Sequence, residues 1–393
     1  MYPLLHDGDV IYINRVNFNR IKINDLVCAR KKNKMFTHRV IYRTKNYLIT
    51  KGDSNVSADG KIYVRNMVGK VYKIKRNGEI IDPESLYLIQ SSLYFKEIVK
   101  VKKAFEKENL NFVFLKGLPL HLYYQGIHPR RFYADCDLLI ERNRFKNATR
   151  ILKNLGYVKF DTSLSRTQKR LRDKEVEIDF LKIVNGFPIL FDIHLEAAFL
   201  MVQLGQIDRL YPQKLIDAFT AKLLQEKRHI DINIQRFPIL SKENLFIYLV
   251  LHLYHHNFQG THRFDLIKKL INKEELKYST ILETISKFRL DNFIYPCMFL
   301  FNKYYKLRNA SIPLNGLRPS TAAIRLTKRN IRSVNIFDDE DRISSGVKRF
   351  ENAFFLSPNN YLRKSLIFLN KQVLYSIYLV FSHRFSNILK SFS

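Results

Sequence analysis

The segment from Phe112 to Ile140, FVFLKGLPLHLYYQGIHPRRFYADCDLLI, constrains the fold of this chain more than any other. It predicts a strand, a glycine break, a short helix, a basic turn and a second strand with two aspartates. Asp135 and Asp137 are two positions apart, so on a strand both carboxylates leave from the same face. Adjacent ionised carboxylates repel, and a divalent cation usually relieves this repulsion. The pattern predicts a magnesium site, and solvated acids at a strand edge are the alternative.

A β-hairpin is predicted downstream, where an Asn-Gly dipeptide at 185–186 separates the segments EVEIDFLKIV and FPILFDIH. Pairing outward from this turn places Asp179 opposite Asp192. Like charges directly opposed in a ladder are unfavourable, and a cation shared with the first two aspartates would remove the penalty. Pro188 has no amide hydrogen, which predicts an edge strand or a slipped register.

These motifs together resemble a known family. The order L-K-G, helix, R-x-x-x-D-x-D-L-L-I, helix ending in L-G-Y, and D-I-H-L is similar to the poorly characterised nucleotidyltransferase group of the polymerase-beta-like superfamily. The resemblance extends over roughly residues 85–275 and includes LSKENLFIYLVLHLYHH and RFDLIKKL, which are similar to the helical tail of that family. The matching positions are Leu115, Lys116, Gly117, Arg131, Asp135, Asp137, Leu155, Gly156, Tyr157, Asp192, Ile193 and His194.

This resemblance implies metal-dependent transfer of a nucleoside monophosphate from a nucleoside triphosphate, with ATP as the expected donor. The implied metal is Mg²⁺ or Mn²⁺, held by Asp135, Asp137 and Asp192. Asp192 is also the implied base for the acceptor hydroxyl. The family usually opens with Gly-Ser, whereas this chain has Lys-Gly, a departure that bears on nucleotide binding. The implied nucleotide-binding residues are Lys116, Gly117 and Arg131.

The first eighty residues predict a separate, small, barrel-like β domain, because short alternating strands are divided by frequent turn residues. Four ordered blocks resemble the catalytic domain of type I signal peptidases of the archaeal and endoplasmic-reticulum kind, in the superfamily shared with LexA-type repressors. These blocks are M-x-P-L-L-x-x-G-D at 1–9, T-H-R-V at 37–40, T-K-G-D-S-N at 50–55 and V-G-K-V at 68–71.

The second resemblance implies a catalytic site in which His38 is the general base and Asp53 or Asp59 orients it, Asp59 being better spaced. In that family the nucleophilic serine immediately precedes the methionine of M-x-P, and this sequence begins at that methionine. A base without a nucleophile performs no acyl transfer. We therefore expect this unit to be silent unless the true start, together with a membrane anchor, lies upstream. An ordinary sheet histidine is the alternative for His38.

The chain carries 67 Lys and Arg residues against 36 Asp and Glu residues, a net charge of +31. Such an excess suits nucleic acid, an anionic membrane surface or phosphorylated substrates, although no RNA-binding signature accompanies it. The three cysteines are widely spaced and form neither a metal box nor a disulfide framework, which favours a reducing compartment.

The chain is predicted to be mainly helical after residue 240. His252 and His256 are four residues apart in an apolar helix, where packed histidines are commoner than zinc ligands. The acidic run at 338–341 predicts a solvated helix start, and the apolar end at 361–390 predicts a last helical segment or a membrane-surface contact. Predicted helices cover 241–257, 264–277, 279–288 and 292–305, and the predicted linker is 309–320.

The sequence thus predicts an α+β multidomain chain: a β domain at 1–80, a nucleotidyltransferase-like mixed sheet with helices at 84–240, and a helical region at 241–393. The leading function is metal-dependent nucleotidyl transfer to an unknown acceptor, such as a peptide or protein. The alternatives are a signal-peptidase-type serine endopeptidase and a non-catalytic binding module. The predicted location is cytoplasmic, or at the cytoplasmic membrane if an upstream anchor exists.

Overall fold

Two β-sheets followed by a helical region form the fold, which confirms the predicted α+β class. The computed structural model describes residues 4–31, 34–53, 55–126, 130–133, 135–160, 176–197, 209–305, 314–339, 342–371, 373–374 and 378. Among these residues, no helix has both the length and the apolar character that crossing a bilayer requires.

The first sheet is antiparallel and has the strand order β1-β6-β2-β3-β4-β5, with β7 paired to β6. Its strands are β1 (Val10–Asn14), β2 (Leu26–Lys31), β3 (Lys34–Arg43), β4 (Tyr47–Lys51), β5 (Lys61–Tyr63), β6 (Met67–Arg76) and β7 (Glu79–Ile81). No described strand pair joins β5 back to β1, so this sheet is open and is not the closed, barrel-like unit that the sequence predicts. The physical reason is that β6 pairs with β1, β2 and β7, while β5 is only three residues long.

The second sheet is mixed, with the order β10-β11-β12-β9-β8-β14-β13. The pairs β12–β9 and β14–β8 are parallel, and the other pairs are antiparallel. Its strands are β8 (Phe112–Lys116), β9 (Cys136–Ile140), β10 (Val158–Phe160), β11 (Glu177–Val184), β12 (Phe187–His194), β13 (Lys227–Ile232) and β14 (Gln235–Leu240).

The predicted hairpin is confirmed: the 185–186 turn joins β11 to β12, and Asp179 pairs with Asp192. Both turn residues have positive φ, 49° for Asn185 and 79° for Gly186, as a tight two-residue hairpin turn requires. The edge strand or slipped register predicted from Pro188 is wrong, because β12 lies inside the sheet in the outward-counted register. Pairing between β12 and β9 begins only at Phe191, so the proline lies where the missing amide hydrogen breaks no bond to β9.

The helical region confirms the four helices predicted after residue 240, with ends shifted by a few residues. The helices are α1 (Pro83–Lys107), α2 (Leu118–Gln125), α3 (Phe145–Asn154), α4 (Gln213–Gln225), α5 (Lys242–His255), α6 (Thr261–Lys273), α7 (Tyr278–Lys287), α8 (Asp291–Tyr304), α9 (Thr321–Arg329), α10 (Arg342–Leu356) and α11 (Tyr361–Ser365). One continuous apolar core runs from α1 through the second sheet into these helices. This core is shared by residues on both sides of position 240, so the domain boundary placed there stays a prediction.

As predicted, a helix begins beside the acidic run at 338–341, with α10 at Arg342, but the described residues of the run are only half exposed and bind the first sheet. A carboxylate oxygen of Asp338 accepts a hydrogen bond from the Ala58 amide at 2.9 Å, and the Asp339 amide donates to Val56 at 2.8 Å. The Asp339 carboxylate also pairs with Lys51. The rest of the run, residues 340–341, lies outside the described residues, as do 309–313 of the predicted linker and nearly all of the apolar end after residue 371.

Arg39 ties the first sheet to the rest of the chain. Its side chain, with the residue only 6% exposed, donates to both carboxylate oxygens of Asp53 at 2.7 and 2.6 Å. It also donates to the backbone oxygens of Asn24 and Arg130 and to the Tyr87 hydroxyl. The five N–H groups of one guanidinium thus have acceptors in the first sheet, α1 and the 130–133 loop.

The tyrosine of the L-G-Y motif is buried at the contact between α1 and the second sheet. Tyr157 is 1% exposed and donates a hydrogen bond of 3.0 Å to the carboxylate of Glu97, on α1. Lys182 binds the same carboxylate oxygen at 2.9 Å and Lys100 binds the other oxygen. Burial would raise the pKa of Glu97, but these hydrogen bonds lower it. A buried carboxylate is thereby kept ionised at the joint between α1 and the sheet.

We expect Tyr157→Phe to lower the free energy of unfolding by about 1.5–3 kcal/mol, the usual range for a hydrogen bond to a charged group. Urea unfolding followed by circular dichroism measures this change. Tyr72→Phe, at an exposed position of the first sheet, is the matched control and should leave the midpoint unchanged. Equal midpoints for the two variants would contradict a stabilising role for the Tyr157 hydroxyl.

Candidate functional site

One row of charged residues crosses four adjacent strands of the second sheet. The strand registers pair Lys116 with Asp137, Asp137 with Asp192, and Asp192 with Asp179. Residues paired directly across strands project from the same face of a sheet. The four side chains therefore share one face, and the opposite face contributes to the apolar core through residues such as Phe191.

A second row on the same face adds His194 and Glu177. These residues pair with each other, and each lies two positions along its strand from a member of the first row. Asp135 lies two positions before Asp137, just ahead of β9, and its side chain is 45% exposed. Tyr248 of α5 is buried near these rows and interacts electrostatically with His194 and Asp137.

Lys116 and His194 hold Asp137 between them. The Nζ atom of Lys116 lies 2.8 Å from Oδ1 of Asp137 and 3.4 Å from Oδ2 of Asp135. The Nε2 atom of His194 lies 3.0 Å from the same Oδ1 of Asp137 and 3.3 Å from Oδ2 of Asp192. Two cationic groups thus compensate this group of acids.

The electrostatics keep Asp137 ionised although it is fully buried. Burial would raise the pKa of Asp137, but the charge of Lys116 and the hydrogen bond from His194 lower it. Burial would likewise lower the pKa of His194, but the charge of Asp192 raises it well above its usual range. Burial would also lower the pKa of Lys116, and the charges of Asp135 and Asp137 outweigh it. These directions describe a cluster in which both bases are protonated.

The remaining acids differ strongly in proton affinity. Burial, followed by the charge of Glu177, raises the pKa of Asp192 well above its usual range. The same two causes raise the pKa of Asp179 to about 6. Burial would raise the pKa of Glu177 as well, but the charge of His194 and a hydrogen bond with Asp192 lower it to about 2.

Two sets of side chains among the described residues have the spacing of metal ligands, and they share Asp192. The first is Asp137, Asp192 and His194, and the second is Glu177, Asp179 and Asp192, each with one donor atom per residue within 4.8 Å of the others. Three buried atoms of the first set have no hydrogen-bond partner among the described residues: Oδ2 of Asp137, Oδ1 of Asp192 and Nδ1 of His194. Buried polar atoms are normally satisfied, so these atoms fit a cation site.

The donor chemistry of these residues suits a hard divalent cation. Carboxylate oxygens are the ligands of Mg²⁺ and Mn²⁺. The sequence-predicted set was Asp135, Asp137 and Asp192, and the structure brings the last two together. Asp135 lies on the same side, in contact with Lys116, but belongs to neither set.

Gly117 shapes the turn that presents Lys116 to the acids. It has φ of 105°, a region that favours glycine, and it precedes the first residue of α2. A Cβ atom there would lie 3.4 Å from both the Asp135 carbonyl oxygen and the Cys136 Cα. The glycine therefore lets β8 turn into α2 directly against the start of β9.

Arg131 lies in a loop that α1 holds in place. The Gln90 side chain donates to the Tyr133 carbonyl at 2.9 Å and accepts from the Tyr133 amide at 3.2 Å. Tyr133 in turn is hydrogen-bonded to His121 of α2. The Arg131 guanidinium lies 4.9 Å from the centre of the Tyr133 ring, and its buried Nε has no hydrogen-bond partner among the described residues.

In the first sheet, His38 contacts Asp59 and not Asp53. The Nδ1 atom of His38 lies 2.7 Å from Oδ2 of Asp59, and the Thr50 hydroxyl donates to the same oxygen at 2.7 Å. The Asp53 carboxylate is instead held by Arg39. The better-spaced aspartate is thus the one that meets His38, while Met1, at the chain start, lies outside the described residues.

Sequence reasoning did not assign Glu177, His194 or Tyr248 to the site. The hairpin register that predicted the Asp179–Asp192 pair also predicts Glu177 opposite His194, so one further step of counting would have found both. Tyr248 reaches the site from a distant helix, and the sequence carries no local signal for it.

A known protein family matches more than half of the chain. Residues 86–306 match the sequence profile of a family described as uncharacterised nucleotidyltransferase. No curated protein matches the chain. A solved structure that matches the chain is that of an antigenic nucleotidyltransferase-like protein from Paracoccidioides brasiliensis, with 18% sequence identity and a TM-score of 0.28. That match covers 56% of this chain and 92% of the solved one.

We expect Lys116→Met to lower the free energy of unfolding by about 3–5 kcal/mol, because it leaves the buried Asp137 without its ammonium partner. The double variant Lys116→Met/Asp137→Asn should lose less than the sum of the single variants, with a coupling of about 1–3 kcal/mol. Urea unfolding measures the cycle, and Lys96→Met, at an exposed position of α1, is the control. Strictly additive losses would contradict a direct Lys116–Asp137 interaction.

Proposed function

We propose that this chain, which belongs to the uncharacterised nucleotidyltransferase family, transfers a nucleoside monophosphate from a nucleoside triphosphate to an acceptor at the acids of the second sheet. The observation that carries this proposal is the buried pair Asp137 and Asp192, each with one carboxylate oxygen lacking a hydrogen-bond partner among the described residues. Buried acids of this kind are costly to keep unless they serve a cation or a reaction.

In this proposal Asp137 and Asp192 hold a divalent cation, Mg²⁺ or Mn²⁺, and Asp135 completes the set from the exposed side. When bound, such a cation would stabilise the negative charge that develops on the phosphate during transfer. His194 supports the site through its hydrogen bond to Asp137. The adjoining Glu177 and Asp179 add negative charge beside Asp192 and attract a cation to this face.

The basic residues around the acids are proposed to bind the triphosphate. Lys116 contributes an ammonium point charge in place of the usual serine, and Arg131 contributes a planar guanidinium. Gly117 directly precedes the N-terminus of α2, where backbone amides favour phosphate oxygens. These three residues are the ones that the sequence motifs identify, and ATP is the proposed donor.

Asp192 is the proposed base. Its carboxylate takes the proton of the acceptor hydroxyl while the acceptor oxygen bonds to the α-phosphorus, and the bond from that phosphorus to the pyrophosphate oxygen breaks. Asp192 suits this role by position, because it pairs with Asp137 on the neighbouring strand and lies beside the proposed cation. Pyrophosphate leaves, and the nucleoside monophosphate stays on the acceptor.

Calorimetry with ATP and Mg²⁺ or Mn²⁺ tests the proposal. We expect Asp137→Asn and Asp135→Asn each to weaken metal-dependent ATP binding at least about tenfold, because each removes a negative ligand of the cation. Asp192→Asn should spare binding more and suppress transfer. Asp231→Asn, at an exposed position of β13, is the matched control.

The fold should survive these substitutions, since asparagine has the shape of aspartate and its amide oxygen can still accept hydrogen bonds from partners such as Lys116 and His194. Circular dichroism checks this point for each variant. Unchanged ATP affinity in both Asp135→Asn and Asp137→Asn would refute the metal site and leave the binding-module alternative.

A second candidate function concerns the first sheet. The His38–Asp59 contact, with Thr50 on the same oxygen, favours a peptidase-like site in which Asp59 orients the imidazole. In this proposal the first sheet is a signal-peptidase-like unit that needs a serine beside His38 in order to cleave peptides.

We expect the chain beginning at Met1 not to cleave a signal-peptide substrate, and a serine placed directly ahead of Met1 behind a membrane anchor to restore cleavage. In that extended protein His38→Ala should abolish cleavage, and Asp59→Asn should reduce it by about 10⁴-fold. Asp7→Asn, at an exposed position, is the control. Robust His38-dependent cleavage without an added serine would overturn this expectation.

A further inference from the structure

A cavity of about 490 Å³ lies where the first sheet, the 130–133 loop and the C-terminal helices meet, and we call it the junction cavity. Its walls come from β3, from α2 with the loop that follows it, from α6, and from residues 304–305 and 337–339. The volume falls in the range of small-molecule sites in proteins. No residue of the acidic rows lines it, so it is separate from the metal ligands.

The charges that line the junction cavity do not balance. Five basic side chains face three acidic ones, and two of the acids already form ion pairs, Asp53 with Arg39 and Asp339 with Lys51. The third acid, Asp265, pairs with Lys269, which is not part of the wall. Among the described residues, the three basic side chains without a carboxylate partner are Arg43, Arg131 and Lys268.

Two of these three basic groups have an unsatisfied buried nitrogen. The Nε atoms of Arg43 and Arg131 are buried and have no hydrogen-bond partner among the described residues. Leaving such a charged donor unpaired costs more than leaving a neutral one. Arg43 uses a terminal nitrogen on the Asn19 carbonyl oxygen at 3.0 Å, which fixes the position of its side chain. The positive charge of both guanidinium groups in the wall favours an anion in the junction cavity.

Aromatic rings form another part of the same wall. The Tyr42 ring centre lies 5.0 Å from that of Phe337 and 6.3 Å from that of Tyr305, both edge-on. Lys268 lies 5.8 Å from the centre of the Tyr305 ring. Rings beside cations suit a ligand that has both a flat ring and a negative group.

The junction cavity also adjoins the proposed active site. Arg131 lines the cavity and precedes Asp135 by four residues, so their Cα atoms are at most roughly 14 Å apart. His121 lines it as well, and its hydrogen bond to Tyr133 connects the wall to the loop that leads into β9. The loop that carries Arg131 thus connects the wall of the junction cavity to the strand that carries Asp137.

We propose that the junction cavity binds the acceptor of nucleotidyl transfer, a small molecule with a flat ring and a phosphate or carboxylate group. That this ligand is the acceptor rests on the proposed function, whereas the class of ligand rests on the cavity alone. Arg43 and Lys268 bind the anionic group, and the rings of Tyr42 and Tyr305 bind the flat ring. The first sheet thus contributes to selection of the substrate.

Binding of 1-naphthyl phosphate, followed by its fluorescence anisotropy in buffer with excess EDTA, tests the proposal. The chain has no tryptophan, so its own emission interferes little. We expect saturable binding that weakens about tenfold in Arg43→Gln and in Lys268→Gln, equivalent to about 1.4 kcal/mol each. Lys45→Gln, at an exposed position between β3 and β4, should bind as the unaltered chain does.

Asp137→Asn separates this proposal from the proposed function. It should lose metal-dependent ATP binding and keep the binding of 1-naphthyl phosphate. Competition by inorganic phosphate and by benzoate then distinguishes a phosphate from a carboxylate as the preferred anion, and displacement by either supports the ligand class.

Three results would overturn the proposal: no saturable binding, unchanged affinity in the Arg43→Gln/Lys268→Gln double variant, or loss of binding in Asp137→Asn alone. Displacement by an oligonucleotide but by neither small anion would also overturn it, in favour of a nucleic-acid partner. Circular dichroism spectra and melting temperatures of all variants show whether a loss of binding comes from a loss of fold.

Discussion

Compensation of buried carboxylates by Lys116 and His194 is the interaction on which the second sheet depends. Strand pairing places Asp137, Asp192 and Asp179 side by side, and the sheet cannot separate them without breaking its registers. The ammonium and the imidazolium supply the charge that makes this arrangement tolerable. A cation at the same oxygens would serve the same electrostatic purpose, so the structural and the proposed catalytic demands coincide.

The sequence predicted the parts of the fold that follow from local periodicity. The Asn-Gly turn determined the hairpin register, and the register determined that Asp179 faces Asp192. Contacts between distant segments were not predictable in this way. Nothing in the acidic run near Asp338 identifies Ala58 as its partner, because that hydrogen bond joins residues 280 positions apart. The local pattern likewise could not show that the Asp53 carboxylate forms an ion pair with Arg39.

The first sheet and the helical region enclose a space that neither contains alone. The sheet contributes guanidinium and tyrosine side chains, and the helices contribute a lysine and further rings. The acidic residues near 338 hold these two parts together through Ala58 and Lys51. Two parts of a chain that enclose a cavity together are under a constraint that two independently folded, simply linked units would not have.

The Arg39 guanidinium also determines an order of events during synthesis. Its acceptors belong to residues 24, 53, 87 and 130, so they leave the ribosome at very different times. N-terminal units generally begin to fold while the rest of a chain is still being made. The first sheet ends at Ile81. The Arg39 donors therefore lack some of their acceptors until about fifty further residues have left the ribosome. The hydrogen bonds of Arg39 in the nascent sheet are therefore incomplete until α1 and the loop after α2 have been synthesised.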